Sequence, residues 1–310
     1  MPQIRMRAQR ERIETPTGQS LRVIRWSRSL INIEVLLGNG RTQTQRGEGL
    51  HWHYHSAMEL TLFTSGSGIR FVGDHITPFD AGDIVLLGER LPHHWSVRGD
   101  SSGISVQWEF PPSHAIWSLP ESQPLAQLFE KARRGLQISG RTAKLLAPNI
   151  LQLAGATGPD RLGLWFRTLA LIHHSNNGDL TSLSSRPFDL PASSRHEQAI
   201  TDAIRFVHAN FRKPIRLAEL LALTRMSKAT FSRQFLRHAG TPLSSHLTSL
   251  RVQAAQEELK STDRPIVDIA LGCGFTQLTF FNRTFRARTG TTPTQYRSLL
   301  NSQHRRIPNI

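Results

Sequence analysis

Residues 264–297 read RPIVDIALGCGFTQLTFFNRTFRARTGTTPTQYR. The apolar spacing predicts a short helix over 266–273, a turn at Gly274 and a longer helix opening near Thr276. Phe281 and Phe285 fall on one face of that second helix. Gln277, Thr279, Asn282, Arg283 and Arg286 point away from it. About 50 residues earlier the pattern occurs once before: Leu217–Leu223, a break at 224–226, then a helix opening at Ser227, a good N-cap. There Phe231, Phe235 and Leu236 form the expected core face, and Lys228, Thr230, Ser232, Arg233 and Arg237 lie elsewhere. Gly240 and Gly290 occupy matching places, each soon followed by a proline, Pro242 and Pro293. This is an internal duplication of a helix-turn-helix unit.

Two helical hairpins that only pack together would be the plainer explanation. Lys, Arg, Asn and Gln at the start of both second helices argue against it, since such side chains reach base edges and phosphates in a major groove. Between the units, residues 242–260 carry Leu243, Leu247, Leu250 and Ala254 at helical spacing. Such a helix spans roughly 28 Å, close to the ~34 Å of one turn of DNA. It can hold two reading helices in successive major grooves.

Charge agrees. Lys and Arg number 38 against 23 Asp and Glu, a net +15. Residues 1–194 hold 20 basic and 16 acidic groups, so +4; residues 195–310 hold 18 and 7, so +11. An excess gathered in one compact segment points to double-stranded DNA as the partner.

At this point the residues resemble a known family. The 264–297 stretch is similar to the signature of AraC/XylS-type transcription regulators at Ile269–Ala270, Gly274–Phe275, Phe281, Arg283, Phe285, Gly290, Pro293, Tyr296 and Arg297. Leu217, Leu220, Ser227, Phe231, Arg233, Phe235 and Gly240 match in the first unit. The resemblance implies DNA contacts at Ala229, Thr230, Ser232 and Arg233, and at Leu278, Thr279, Asn282 and Arg283. The small Ala229 and apolar Leu278 depart from polar readout. The DNA-binding set expected from residues and resemblance together is Lys228, Thr230, Ser232, Arg233, Gln277, Thr279, Asn282 and Arg283. RNA polymerase is a further expected partner if the chain activates transcription.

Upstream, short apolar runs alternate with Gly-rich breaks over 20–110, as in an all-β barrel or sandwich. Over 122–174 the period becomes helical, and three helices are expected. Leu145, Leu146, Ile150, Leu153, Leu164, Leu169 and Ile172 could line a homodimer seam or pack on the barrel. Residues 175–194, SNNGDLTSLSSRPFDLPASS, resemble a linker in composition. The expected fold class is α+β: an N-terminal cupin-like β-barrel with appended helices, then an all-α double helix-turn-helix domain. The expected domains are a sensing domain at 1–121, a helical appendage at 122–174, a linker at 175–194 and a DNA-binding domain at 195–310.

The segment Gly47–Gly68, GEGLHWHYHSAMELTLFTSGSG, carries His51, His53 and His55 in alternation, then Glu59. Alternation sets these histidines on one face of a strand. The spacing of Gly47, His53, His55, Glu59 and Gly66 resembles the first cupin motif. His93 stands where the resemblance sets a further ligand, within a weaker second motif, GDIVLLGERLPHHW. His53, His55, Glu59 and His93 are thus expected to contact an effector or to hold a divalent transition metal such as Zn, Fe, Mn or Ni. No cofactor beyond that is implied. Trp52, Trp95 and Trp108 lie on expected barrel strands, two or more of them as core. The resemblance further implies a small-molecule effector, a sugar or sugar derivative by analogy with sugar-responsive regulators.

One cysteine, Cys273, excludes an internal disulfide, and it is expected to be core. No apolar run approaches the ~18 residues of a membrane helix, and no secretory signal precedes the fold. A cytoplasmic protein without a membrane partner is expected. Two rival functions remain at this level: a metal-dependent cupin enzyme with an accessory DNA-binding domain, and a DNA-architectural protein with no effector. Turnover with metal would mark the first. DNA affinity indifferent to metabolites would mark the second.

Overall fold

The computed structural model describes residues 13–304, apart from 48, 50, 51, 177, 189 and 191–195. It divides into two compact units, Met1–Thr201 and Asp202–Ile310. Strands are confined to the first and the second is helical, as the α+β expectation requires. Among the described residues no helix is long and apolar enough to cross a membrane.

The first unit carries β1 (Arg22–Arg28), β2 (Asn32–Gly38), β3 (Arg41–Arg46), β4 (Met58–Val72), β5 (His75–Phe79), β6 (Ile84–Leu87), β7 (His93–Trp108), β8 (Leu136–Ile138) and β9 (Leu180–Ser182). They form one antiparallel sheet in the order β3-β2-β1-β7-β4-β6-β8-β9, with β5 also paired to β4. Helices α1 (Gln123–Ala132), α2 (Gly140–Gly155) and α3 (Gly158–His173) cover one face.

Strand alternation sorts the residues. Leu60 and Leu62 of β4, Ile84 and Leu86 of β6, and Val106 and Trp108 of β7 pack with Leu146, Ile150, Trp165 and Leu169 of the helices. The intervening Phe63, Val85 and Leu87 join Trp26, Phe79 and Trp95 in a second core on the other face. That second core exists because the sheet rolls. Phe63 pairs with Gly103, and Trp95 lies eight residues from Gly103 along the same strand. Extended, those residues would span ~27 Å. The rings of Phe63 and Trp95 nevertheless lie 5.7 Å apart, so the β4–β7 pair doubles back on itself.

The bend falls at register shifts between Phe63 and Ser67. Gly66 there has φ +96°, and a Cβ on it would stand 2.6 Å from Ser101 Cβ. The sequence predicts strand breaks at these glycines. They prove to be bends within two long strands of 15 and 16 residues.

Two further expectations are corrected, and the open choice for the apolar seam is decided. The first appended helix ends at Ala132, because Gly135 at φ +69° turns the chain into β8. The 175–194 stretch is not a free linker over its described length. β9 pairs with β8, and Leu183 and Phe188 are buried in the second core. Asp74 accepts hydrogen bonds from Ser184 and Ser185. Serines and aspartates that look solvated in sequence here satisfy one another's backbone. The apolar seam of the helices faces the sheet: Leu146, Ile150, Leu153, Leu169 and Ile172 are buried, and Leu145 alone of the set is well exposed, at 48%.

Helix α4 (Glu197–Asn210) leads into the second unit, followed by α5 (Leu217–Thr224), α6 (Lys228–Ala239), α7 (Leu243–Ser261), α8 (Ile266–Gly272), α9 (Leu278–Thr289) and α10 (Pro293–His304). Gly240 and Gly290 both cap their helices at φ +77°. Phe231, Phe235, Phe281 and Phe285 are fully buried, as expected. Leu236 is not core: rotated ~100° from Phe235 on the helix, it is 43% exposed. Cys273 is buried, and burial followed by the charge of Glu258 pushes its thiol up to about 12, so it is an inert core group.

The bend at Gly66 makes a stability prediction. Gly66→Ala should destabilise the first unit by about 1–3 kcal/mol, whereas Gly99→Ala, at φ +66° in open space, should cost about 1 kcal/mol. All six tryptophans precede residue 201, so thermal unfolding followed by their fluorescence reports that unit alone.

Candidate DNA-reading helices and histidine cluster

Arg225 at φ +53° ends α5 and turns the chain sharply into α6. Ser227 caps α6, its Oγ accepting from the Thr230 amide at 3.2 Å. Burying Phe231 and Phe235 turns Lys228, Ser232 and Arg233 outward, with Thr230 half-buried. In the second unit Gly274, at φ +89°, makes the turn, and Gln277 is the N-cap residue of α9 without a capping bond from its side chain. Thr279, Asn282 and Arg283 are exposed beside the buried Phe281 and Phe285. All eight expected DNA-contacting residues therefore lie at or near the starts of these two helices, and seven are exposed. Helix α7 is one uninterrupted 19-residue rod that packs against both α6 and α9.

Sequence reasoning passed over Phe280. It is exposed, and the Arg283 guanidinium lies 5.6 Å from its ring centroid. Its signal was available: the 50-residue offset pairs it with Thr230.

In the first unit, His53 and His93 form a two-way backbone bridge, His53 N–H to His93 O at 3.2 Å and His93 N–H to His53 O at 2.9 Å. His55 lies two residues on, on the same face. The ring centroids of His53 and His93 are 4.3 Å apart, and those of His55 and His93 5.1 Å. One ring nitrogen from each of the three falls within 4.8 Å of the others, and all three residues are buried. A carbonyl oxygen only accepts, so Nδ1 of His55 donates to Ala57 O at 2.9 Å and Nδ1 of His93 to Leu91 O at 2.7 Å. Nε2 of His55 is thereby left to face Glu59. His93 Nε2 is buried with no hydrogen-bond partner. Burial first, then the charge of His53, holds His93 well below the usual histidine range, so it is neutral.

Glu59 stands beside the imidazoles, outside the mutually close set. Its Oε2 meets His55 Nε2 at 3.1 Å and accepts from Gln107 at 2.7 Å, while Oε1 accepts from Thr61 at 2.5 Å. Gln107 is itself fixed by Arg22 at 2.7 Å. Burial acts to raise the Glu59 carboxyl. The His55 hydrogen bond, helped by that of Thr61, outweighs it and holds the group well below the carboxylate range. The result is an ionised, hydrogen-bonded carboxylate beside three imidazoles. A cavity of about 40 Å³ opens here, lined by Trp26, His53, Glu59, Phe63, Trp95 and Gln107. It has room for an ion and a water or two. Gly47 keeps its wall close: a Cβ there would meet Leu30 O at 2.2 Å.

Trp52, Trp95 and Trp108 are all buried. Trp108 packs against Trp165 under the helices, and Trp95 lines the cavity. His51 lies outside the described residues.

Two capped helix-turn-helix units joined by a rigid helix define a DNA-reading protein. A helix-turn-helix domain family matches residues 220–298, across both units. The chain is 23% identical over 269 residues to the melibiose operon regulatory protein of Escherichia coli K12, covering 82% of this chain and 85% of that one. It is 29% identical over 252 residues to the HTH-type transcriptional activator RhaR of Klebsiella pneumoniae, covering 79% and 86%. A solved AraC-type regulator from Chromobacterium violaceum aligns at 27% identity, a TM-score of 0.32, and 36% and 96% coverage. The helix-turn-helix domain and the regulators it aligns with are those of AraC-type DNA-binding transcription regulators, which this chain resembles over most of its length.

Arg233 and Arg283 occupy equivalent places in α6 and α9. Arg233→Ala should weaken specific binding by about 1–3 kcal/mol and relax base preference in one half of the site. Arg283→Ala should do so in the other half. Footprinting and titration against a selected site check this, and unchanged affinity and footprint in both variants would remove these helices as readers.

Proposed function

We propose that the protein is a non-enzymatic, cytoplasmic transcription regulator whose residues 195–310 read DNA and whose first unit senses a small molecule at His53, His55, Glu59 and His93. The observation that carries the sensing site is the buried cluster itself: three imidazoles with aligned ring nitrogens, one of them lacking a partner, beside an ionised carboxylate. A buried polar group left open is costly unless something binds it. Three buried imidazoles with ring nitrogens this close, two of them held through Nδ1 by backbone carbonyls, are suited to a divalent transition metal. The three histidines would hold the ion, with the ionised Glu59 beside them. The cation's role is to anchor the effector.

The melibiose operon regulatory protein is named for a sugar system, and a sugar or sugar derivative is the effector class proposed for this chain. Trp26, Phe63 and Trp95 offer aromatic faces to such a molecule. The 40 Å³ cavity is far below the ~300 Å³ typical of ligand pockets, so the effector enters as the rolled sheet opens. A homodimer would use the outer surface of α2 and α3, where Leu145, Leu151 and Leu162 are exposed. Contact with RNA polymerase follows if the chain activates.

Two experiments test this. Replacing His55 and His93 together by Gln should abolish the effector response and leave basal DNA affinity nearly intact. Elemental analysis of protein purified without chelators should find near-stoichiometric transition metal in the wild type and none in that variant. A normal effector response in the variant would refute the sensing site, and a turnover lost in it would favour a cupin enzyme instead. Separately, residues 195–310 alone should fold and bind DNA, with log affinity falling against log salt at about −0.9 per phosphate neutralised. An unfolded fragment, or binding indifferent to salt, would contradict the boundary or the partner.

A further inference from the structure

Among the differences between the two reading helices, two near their starts change polar side chains to large apolar ones. The offset from Gly240 to Gly290 sets Leu278 against Lys228 and Phe280 against Thr230. The first unit presents an ammonium and a hydroxyl there. The second presents two apolar side chains, each 42% exposed. Packing accounts for one part of Phe280, whose ring meets that of the buried Phe275 at 6.1 Å. Its remaining surface carries the Arg283 guanidinium at 5.6 Å. Leu278, the first residue of α9, has no such explanation.

We propose that Leu278 and Phe280 read thymine methyl groups in the half-site bound by α9, and that Phe280 steadies Arg283 against a guanine next to one of those thymines. The inference rests on α9 being a reading helix. Within that frame the chemistry is narrow. The C5-methyl of thymine is the one apolar group on the base edges of the major groove. An exposed leucine and phenylalanine gain from covering it, because both surfaces leave water. Arg283 lies three residues after Phe280, hence on the neighbouring face of the helix, and its guanidinium suits the O6 and N7 of guanine. Stacking on an anchored ring removes freedom the long side chain would otherwise lose on binding. Helix α6 carries Lys228 and Thr230 at the matching places, with only the small Ala229 between them, so the methyl dependence due to Leu278 and Phe280 should be confined to the α9 half of the operator.

The test uses the intact protein and a site selected from random DNA, with the α9 half identified as the one whose preference Arg283→Ala alters. Each thymine is replaced singly by uracil, which removes the methyl and nothing else. The wild type should bind about fourfold more weakly per contacted methyl at one or two positions of the α9 half. Leu278→Ser and Phe280→Ala should each erase the sensitivity at one of these positions, and Phe280→Ala should also relax the adjacent guanine. Phe280→Ala gives up the Phe275 contact; Leu278→Ser makes no ring contact and reports even if the other folds poorly. The proposal is overturned if uracil is harmless throughout the α9 half, if that half contains no thymine, or if both variants keep the wild-type sensitivity. If Arg283→Ala changes no preference at all, the fault lies with α9 as a reader, a result distinct from loss of the methyl effect alone.

Discussion

The doubling back of β4 on β7 is the constraint on which the first unit depends. Two long paired strands that stayed flat would keep Phe63 and Trp95 far apart and leave one sheet face open to water. Bent at Gly66, the same pair makes an inner core and holds Ser105 and Gln107 opposite Glu59. The bend and the polar cluster are thus one device. The outer parity of those strands is wholly apolar and consumed by α1 to α3, while the inner parity carries Glu59, Thr61, Ser105 and Gln107. A buried carboxylate survives there because each of its oxygens is bonded: Oε1 to two hydroxyls, Oε2 to an amide and an imidazole.

The helical unit was the more readable half. Its phenylalanines recur at helical spacing, its glycines end helices in the left-handed region, and each of those facts is local. Only Leu236, one residue off the core line, was misassigned. Phe280 was overlooked because an aromatic next to Phe281 looks like more core. In the first unit the error had one source. Glycine in a strand and glycine in a turn look alike in sequence, and the difference is whether the partner strand continues beyond it. Ser65 pairs with Ser102, Ser67 with Arg98 and Gly68 with Val97, so the strands run on through the bend. The 175–194 stretch failed for a related reason. Three residues of β9 are held by pairing with β8, a contact some 45 residues away that no local composition announces. The histidines were placed on one face by alternation alone, but that Glu59 is saturated by Thr61, Ser105 and Gln107 depends on strand register.

The two units also solve opposite electrostatic problems. The second spends its charge outward: of its 18 basic residues at 195–310, Arg233 and Arg283 at the starts of α6 and α9 are exposed. The first buries charge and neutralises it internally, through Glu59 with His55 and through the buried Arg70–Asp83 pair. A long-range field thus belongs to the DNA-reading part.

Helix α7 has a last consequence. It runs unbroken from Leu243 to Ser261, with Leu250, Ala254, Ala255 and Leu259 locked in the core. It therefore acts as a calliper set to one opening. DNA turns by about 34–36° with each added base pair, so one extra pair between the half-sites carries the second out of angular phase as well as outward. No hinge in α7 can follow it. The operator's spacing is then as much a part of the recognised sequence as its bases, and the helix that touches none of them is what imposes it.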